Sequence, residues 1–192
     1  MIMTTSNITY ITQDEYLNTE RLALDKHKYL HGKIYFRGYK SIGHNQIFAN
    51  TFGHIGMDCK GKSLKIFGSD LRIHIPKNTY YCYPEISIYS EKPRTVDDKF
   101  DTATNPSVLF EIRSPSTQKY DRIEKFELYR DIDTLKEYIM ISTDKIQVLK
   151  YSRNQDNSWL LVVYKSLGDS FTIASIGVEL KLETIYLDVN LS

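Results

Sequence analysis

The stretch Val108-Leu109-Phe110-Glu111-Ile112 sets one carboxylate inside an apolar run. An ionised carboxylate buried without a partner costs several kcal/mol, so Glu111 should meet a metal, a cation or a hydrogen-bond donor. Strand side chains alternate faces, which puts Leu109, Glu111 and Arg113 on one side and Val108, Phe110 and Ile112 on the other. The same alternation over 81–89 groups Tyr83, Glu85 and Ser87. In the helical stretch that follows, about 100° per residue collects Asp121, Lys125, Leu128, Tyr129 and Ile132 in one sector. Two carboxylates on neighbouring strands and a lysine on the next helix are thus offered to one place. Such a pair suits a hard divalent cation such as Mg²⁺, which takes oxygen ligands and keeps several waters. The metal polarises a phosphate and generates hydroxide from water, while a lysine orients that water and offsets phosphate charge. That is equipment for phosphodiester hydrolysis.

Plainer roles fit the same residues. Glu111 and Arg113 could form a cross-strand ion pair, and Glu85 could face water at a sheet edge. Asp121 and Lys125 have the spacing of an ordinary helix pair, worth about 0.2–0.5 kcal/mol. His44 reads as a helix-terminus or satisfied polar residue, and the basic 60–65 stretch as solvated surface or a phosphate contact.

Positioning these residues requires a set of elements. Thr12 and Glu15 have capping-box spacing and open a first helix. Two short strands follow, with a turn near His31-Gly32. Ile47, Phe48, Thr51 and Ile55 repeat helically after His44. Residues 63–76 are extended, and 81–90 read as one further strand, with Pro84 marking an edge or a bulge. After a polar loop, the apolar run around Glu111 reads as a central strand. It is followed by the best helix in the chain, three more strands (137–142, 145–152 and 159–166) and a β-rich tail. The fold class is α/β or α+β, one domain over 1–192 with a mixed central sheet flanked by helices.

The 192 residues suffice for a single core, and a hydrophobic fraction of 41% with 26% charged residues reads as globular. A net charge of +1 gives no bulk signal for nucleic acid or membrane, so a nucleic-acid partner would need a local basic patch. No apolar run approaches the ~20 residues of a membrane span. Cys59 and Cys82 form no metal or redox motif, and no leader peptide is visible, so a reduced, cytoplasmic setting is expected.

Pro84-Glu85-Ile86, then SVLFEIRSPST, YDRIEKFELYR and EYIMIS, resembles the Uma-two family of restriction endonucleases, within the PD-(D/E)XK nuclease superfamily. The amino half also falls in the family's order, so the resemblance covers nearly the whole chain, and the EIRSPST…YD…K…Y block is its most specific part. The resemblance implies a restriction-endonuclease-like fold and a Mg²⁺-dependent (Mn²⁺ as alternative) DNA endonuclease. Glu85 and Glu111, with the Ile112 carbonyl, would hold the metal. Lys125 would position the attacking water, Asp121 would orient Lys125, and Arg113 would clamp the phosphate. Three positions depart from the pattern: Glu85 stands for aspartate, Lys28 for glutamate and Arg113 for an aliphatic residue. A catalytically degenerate binding or oligomerisation module is the alternative. A purely structural dimerising domain built on Trp159, Leu161 and Val163 is a third reading, and it expects no polar pocket at Glu111. A homodimer with DNA as partner is expected, since two-fold assemblies are the commonest kind.

Overall fold

A computed structural model describes residues 10–113 and 118–191, with the backbone alone for 118–123. Helix α1 (Gln13–Glu20) begins at Thr12, whose Oγ1 accepts from Glu15 N (3.2 Å) while Glu15 Oε2 accepts from Thr12 N (2.8 Å). Strands β1 (His27–Leu30) and β2 (Lys33–Phe36) form the expected hairpin. His31 and Gly32 both take positive φ, 48° and 79°, as a two-residue hairpin turn requires. A side chain at Gly32 would also collide with the Tyr10 ring.

Helix α2 (Ile42–Asp58) starts at Ser41, which caps His44 N, and buries Ile47, Thr51 and Ile55. Then come β3 (Lys65–Phe67), β4 (Arg72–Ile75), β5 (Tyr80–Cys82), β6 (Ile86–Tyr89), β7 (Thr102–Ala103) and β8 (Val108–Arg113). Helix α3 (Gln118–Tyr129) crosses from β8 to its parallel neighbour β9 (Glu137–Ser142). Strands β10 (Val148–Arg153), β11 (Trp159–Tyr164), β12 (Ser170–Ile173) and β13 (Val178–Lys181) lead to the short helix α4 (Leu182–Ile185).

Among the described residues the strands form three sheets where the sequence suggested one. The main one is mixed, in the order β11-β10-β9-β8-β6-β3, with β8 central and buried along its whole length. A second sheet runs β2-β1-β5-β4-β7, and β12-β13 form a hairpin. The single strand expected over 81–90 is two, one in each large sheet. Pro84 lies at the crossing, where its missing N–H cannot continue a ladder. Glu85 N donates to Phe110 O (3.1 Å), and Ile86 pairs with the same Phe110. Two residues thus face one, as in a β-bulge, and alternation no longer dictates where Glu85 points.

One face of the main sheet (Ile86, Ile88, Val108, Phe110, Ile139, Ile141) packs on α2, α4 and the β12–β13 hairpin. The other (Leu109, Tyr138, Met140, Leu149, Tyr151) packs on α3 and on Ile73, Ile75 and Cys82 of the second sheet. Trp159 and Leu161 also face α3, with the Phe126 and Trp159 rings 5.4 Å apart, so they serve the core of one chain. The exposed apolar residues of β11 are Leu160, Val162 and Val163. Lys62, in the basic 60–65 stretch, donates to Gly177 O (3.2 Å) and so ties α2's exit to the tail hairpin.

Candidate active site

Glu111 sits in the second half of β8, 4% exposed, on the face that α3 covers. Lys125 of α3, 7% exposed, brings its Nζ to 2.7 Å from Glu111 Oε1. One turn on, the Tyr129 hydroxyl donates to the same oxygen at 2.6 Å. Burial above all, then Cys82 and Glu111 nearby, pushes this phenol well above its ordinary pKa, so it remains a donor. Cys82 of β5 lies 3.4 Å behind it, Sγ to hydroxyl. Since the phenol proton points to Glu111, the thiol is the donor in that contact. Burial pushes the Cys82 pKa up to about 12, against the pull of Lys125, so it is a thiol. Lys28 also acts on Cys82, and the pairing of β1 with β5 at Tyr29–Tyr81 puts Lys28 beside it on the same face. The buried carboxylate is therefore answered by a lysine and a tyrosine four residues apart on one helix.

Glu85 is equally buried, 3% exposed, and does not face water. Its closest partners come from β2's exit and the start of α2: Arg37 Nη2 at 2.9 Å, Lys40 Nζ at 3.2 Å and His44 Nε2 at 3.1 Å, all on Oε1. Burial raises its pKa, but the His44 hydrogen bond and the Arg37 and Lys40 charges win and hold it at about 2. Main-chain pairing sets Glu85 against Phe110, the residue before Glu111, while the two carboxylates reach to different helices, Glu85 to His44 of α2 and Glu111 to Lys125 of α3. Arg113 ends β8, 4% exposed; its charge is felt by the Tyr186 phenol, which burial raises to about 12. The Asp121 side chain lies outside the described residues. His44, in the first turn of α2 and bonded through Nε2 to Glu85, is a paired polar residue at a helix terminus, as its position in the sequence suggests; Arg37 and Lys40 carry no such signal, because no local spacing links them to a residue some 40 positions on.

A profile of the Uma2 family, described as "Putative restriction endonuclease", matches residues 13–185. The chain belongs to this family. Two uncharacterized proteins of Synechocystis are 31% and 32% identical over 92% and 84% of this chain, covering 91% and 90% of their own lengths. A crystal structure from Anabaena variabilis, titled as a "putative nuclease belonging to DUF820", superposes with a TM-score of 0.75 at 18% identity over 92% of this chain and 97% of that one. The restriction-endonuclease-like fold read from the sequence is thereby shown.

Within this Uma2 fold, the described residues contain no group of three or more His, Cys, Asp or Glu side chains able to hold a metal. The donor chemistry available is two carboxylates and main-chain carbonyls such as that of Ile112. That set fits Mg²⁺, which is commonly held by one or two carboxylates and completes its shell with water. It does not fit zinc, which wants Cys or His. In both Glu85 and Glu111 the closest partners crowd Oε1. A cavity of about 720 Å³ lies at the opposite ends of β8 and β9, lined by Ser107, Asp133 and Arg153 among others. Its buried acid, Glu137, already accepts from Ala174 N, Ser175 N and Ser175 Oγ and pairs with Lys150, so it staples the tail hairpin.

The depressed Glu85 pKa predicts an acid limb. A carboxyl that titrates lower in the folded state adds stability above its unfolded value near 4.5, lost as pH falls toward 2. The contribution is of order 3 kcal/mol. Glu85→Gln should flatten the fall in melting temperature between pH 5 and pH 2, by a urea or thermal series. Asp101, held low chiefly by Arg21, unloads in the same range, so the difference between the two proteins is the measure. Parallel acid limbs would refute the assignment.

Proposed function

We propose that this protein is a Mg²⁺-dependent endonuclease that hydrolyses DNA phosphodiester bonds, with Mn²⁺ as an alternative metal. The observation that carries the reading is the contact of Lys125 and Tyr129 with buried Glu111 across the β8–α3 unit, in a chain of the Uma2 family. Glu85, Glu111 and the Ile112 carbonyl would hold the metal. Bound there, it would supply Lewis acidity toward the phosphate and an activated water near neutral pH. Lys125 orients the attacking water and offsets charge on the phosphate. Asp121 orients Lys125, and Arg113 clamps the phosphate. Tyr129 holds Oε1 and so fixes the orientation of the Glu111 carboxylate, whose other oxygen would be the one offered to a metal.

The rival reading is a degenerate module that keeps the fold and binds without cutting. The two cations and the histidine nitrogen at Glu85 favour it, because they compete with any metal there. Supercoiled plasmid incubated with Mg²⁺ or Mn²⁺, with EDTA as control, separates the two. EDTA-sensitive nicking or linearisation is expected; no cleavage across a range of metals and DNA substrates would leave the inert module.

The assembly is proposed to be a two-fold homodimer. Strand β11 is one of the two outer strands of the main sheet, six residues long and uncharged, with Leu160, Val162 and Val163 exposed. Such an edge invites pairing with another chain. Light scattering should give twice the chain mass at high micromolar concentration, and a monomer there would refute the dimer. A cytoplasmic location fits Cys59 and Cys82, both free and buried, and among the described residues no helix is long and apolar enough to cross a membrane.

A further inference from the structure

Arg37 and Lys40 bring two full positive charges to one carboxylate oxygen, and His44 brings a third nitrogen. Glu85 is the only acid that pairs with either cation among the described residues, which leaves the cluster with surplus positive charge. The packing around it is also incomplete. Arg37 Nη2 approaches Glu85 at 2.9 Å yet is buried without an aligned hydrogen bond, and His44 Nδ1 is buried with none. Lys40 opens the cluster outward, its side chain 34% exposed against 14% for Arg37. Beside it Tyr39 and Ile42 stand almost fully in solvent, and Phe36 meets Tyr39 edge-on at 5.6 Å.

We propose that Arg37 and Lys40 form a binding site for a backbone phosphate of the nucleic acid, and that Glu85 fills this site until a divalent cation takes the carboxylate. The proposal rests on the nuclease reading and adds to it the phosphate contact and the order of events. Without metal, the carboxylate neutralises the two side chains and repels a phosphate. When Glu85 turns to a cation, both side chains lose their counter-charge while half-buried. A phosphate oxygen is then the anion that restores it, with an arginine fork and a lysine point charge as its natural donors. Metal and nucleic acid thereby bind with positive coupling, each raising the affinity of the other by the same factor.

The test is a pair of affinities on the full chain. Mn²⁺ binding is followed by calorimetry. Binding of a fluorescein-labelled DNA duplex is followed by anisotropy, in EDTA and in Ca²⁺ as a metal chosen to suppress cleavage, across a salt series. In Arg37→Gln/Lys40→Gln, Mn²⁺ should bind several-fold more tightly, because its competitors are gone. The same variant should bind DNA about tenfold more weakly in Ca²⁺, with a salt slope shallower by about one ion, since one phosphate contact is lost. These opposite signs are what a general loss of structure cannot produce. Glu85→Gln, which keeps both cations, should raise DNA affinity in EDTA several-fold. Wild type that binds both ligands, with the double variant unchanged or weakened for both, overturns the proposal alone, as does Glu85→Gln with no gain. Wild type that binds neither Mn²⁺ nor DNA overturns the nuclease reading and this proposal with it.

Discussion

Lys125→Ala should abolish plasmid cleavage, lowering the rate by about 10²–10⁴-fold if the ammonium assists proton transfer or water orientation in the transition state. Lys125 Nζ lies 2.7 Å from Glu111, and both groups are almost wholly buried, so removing one strands the other. Breaking a buried pair from one side costs about 3–5 kcal/mol. The Tyr129 hydroxyl remains on Glu111 and should hold the loss toward the low end. Loss of activity alone would therefore be ambiguous. The double variant Glu111→Gln/Lys125→Met resolves it, since a neutral pair of similar length removes the charge imbalance. It should recover most of the melting temperature lost by Lys125→Ala and recover no cleavage. EDTA-sensitive cleavage by Lys125→Ala at the wild-type rate would remove Lys125 from the mechanism.

The largest stability effect is expected one position from the site. Phe110 is fully buried at the centre of the main sheet, paired with Ile86 on one side and Ile139 on the other, under the apolar face of α2. Phe110→Ala loses the transfer energy of the ring and leaves a cavity that rigid strands close poorly, at about 3–5 kcal/mol. Against a total of about 5–15 kcal/mol for a domain, that brings the protein near its threshold. Urea unfolding should show a midpoint shift of that size at unchanged slope. A loss below about 1 kcal/mol would mean that β8 is not the centre of the fold.

The parts of this protein that were legible in its sequence are those governed by one period or one turn. Ile47, Thr51 and Ile55 mark α2 because a helix returns to the same face every 3.6 residues. Val108–Arg113 reads as central because its run is nearly continuously apolar, and in the structure all six residues are buried. Lys125 could be aimed at Glu111 because a helix that follows a strand packs back on it, and its sector is computable. Glu85 escaped that logic: Pro84 and the two-against-one pairing at Phe110 free it from alternation, and its partners at 37, 40 and 44 are fixed by how two sheets meet. The division of the strands between two large sheets was hidden for the same reason, since a β pattern names a face and not a neighbour.

The β11 edge carries a metric consequence. If two copies join there antiparallel, the two-fold axis stands perpendicular to the sheet, and both α3 faces stay on one side of a twelve-stranded surface. Seven strand spacings then separate one β8 from the other, about 34 Å before twist. One turn of B-form DNA is also about 34 Å. Two Glu111 centres so placed would meet a duplex at the same rotational phase, and paired cuts would recur at the period of the double helix rather than at a distance set by base sequence.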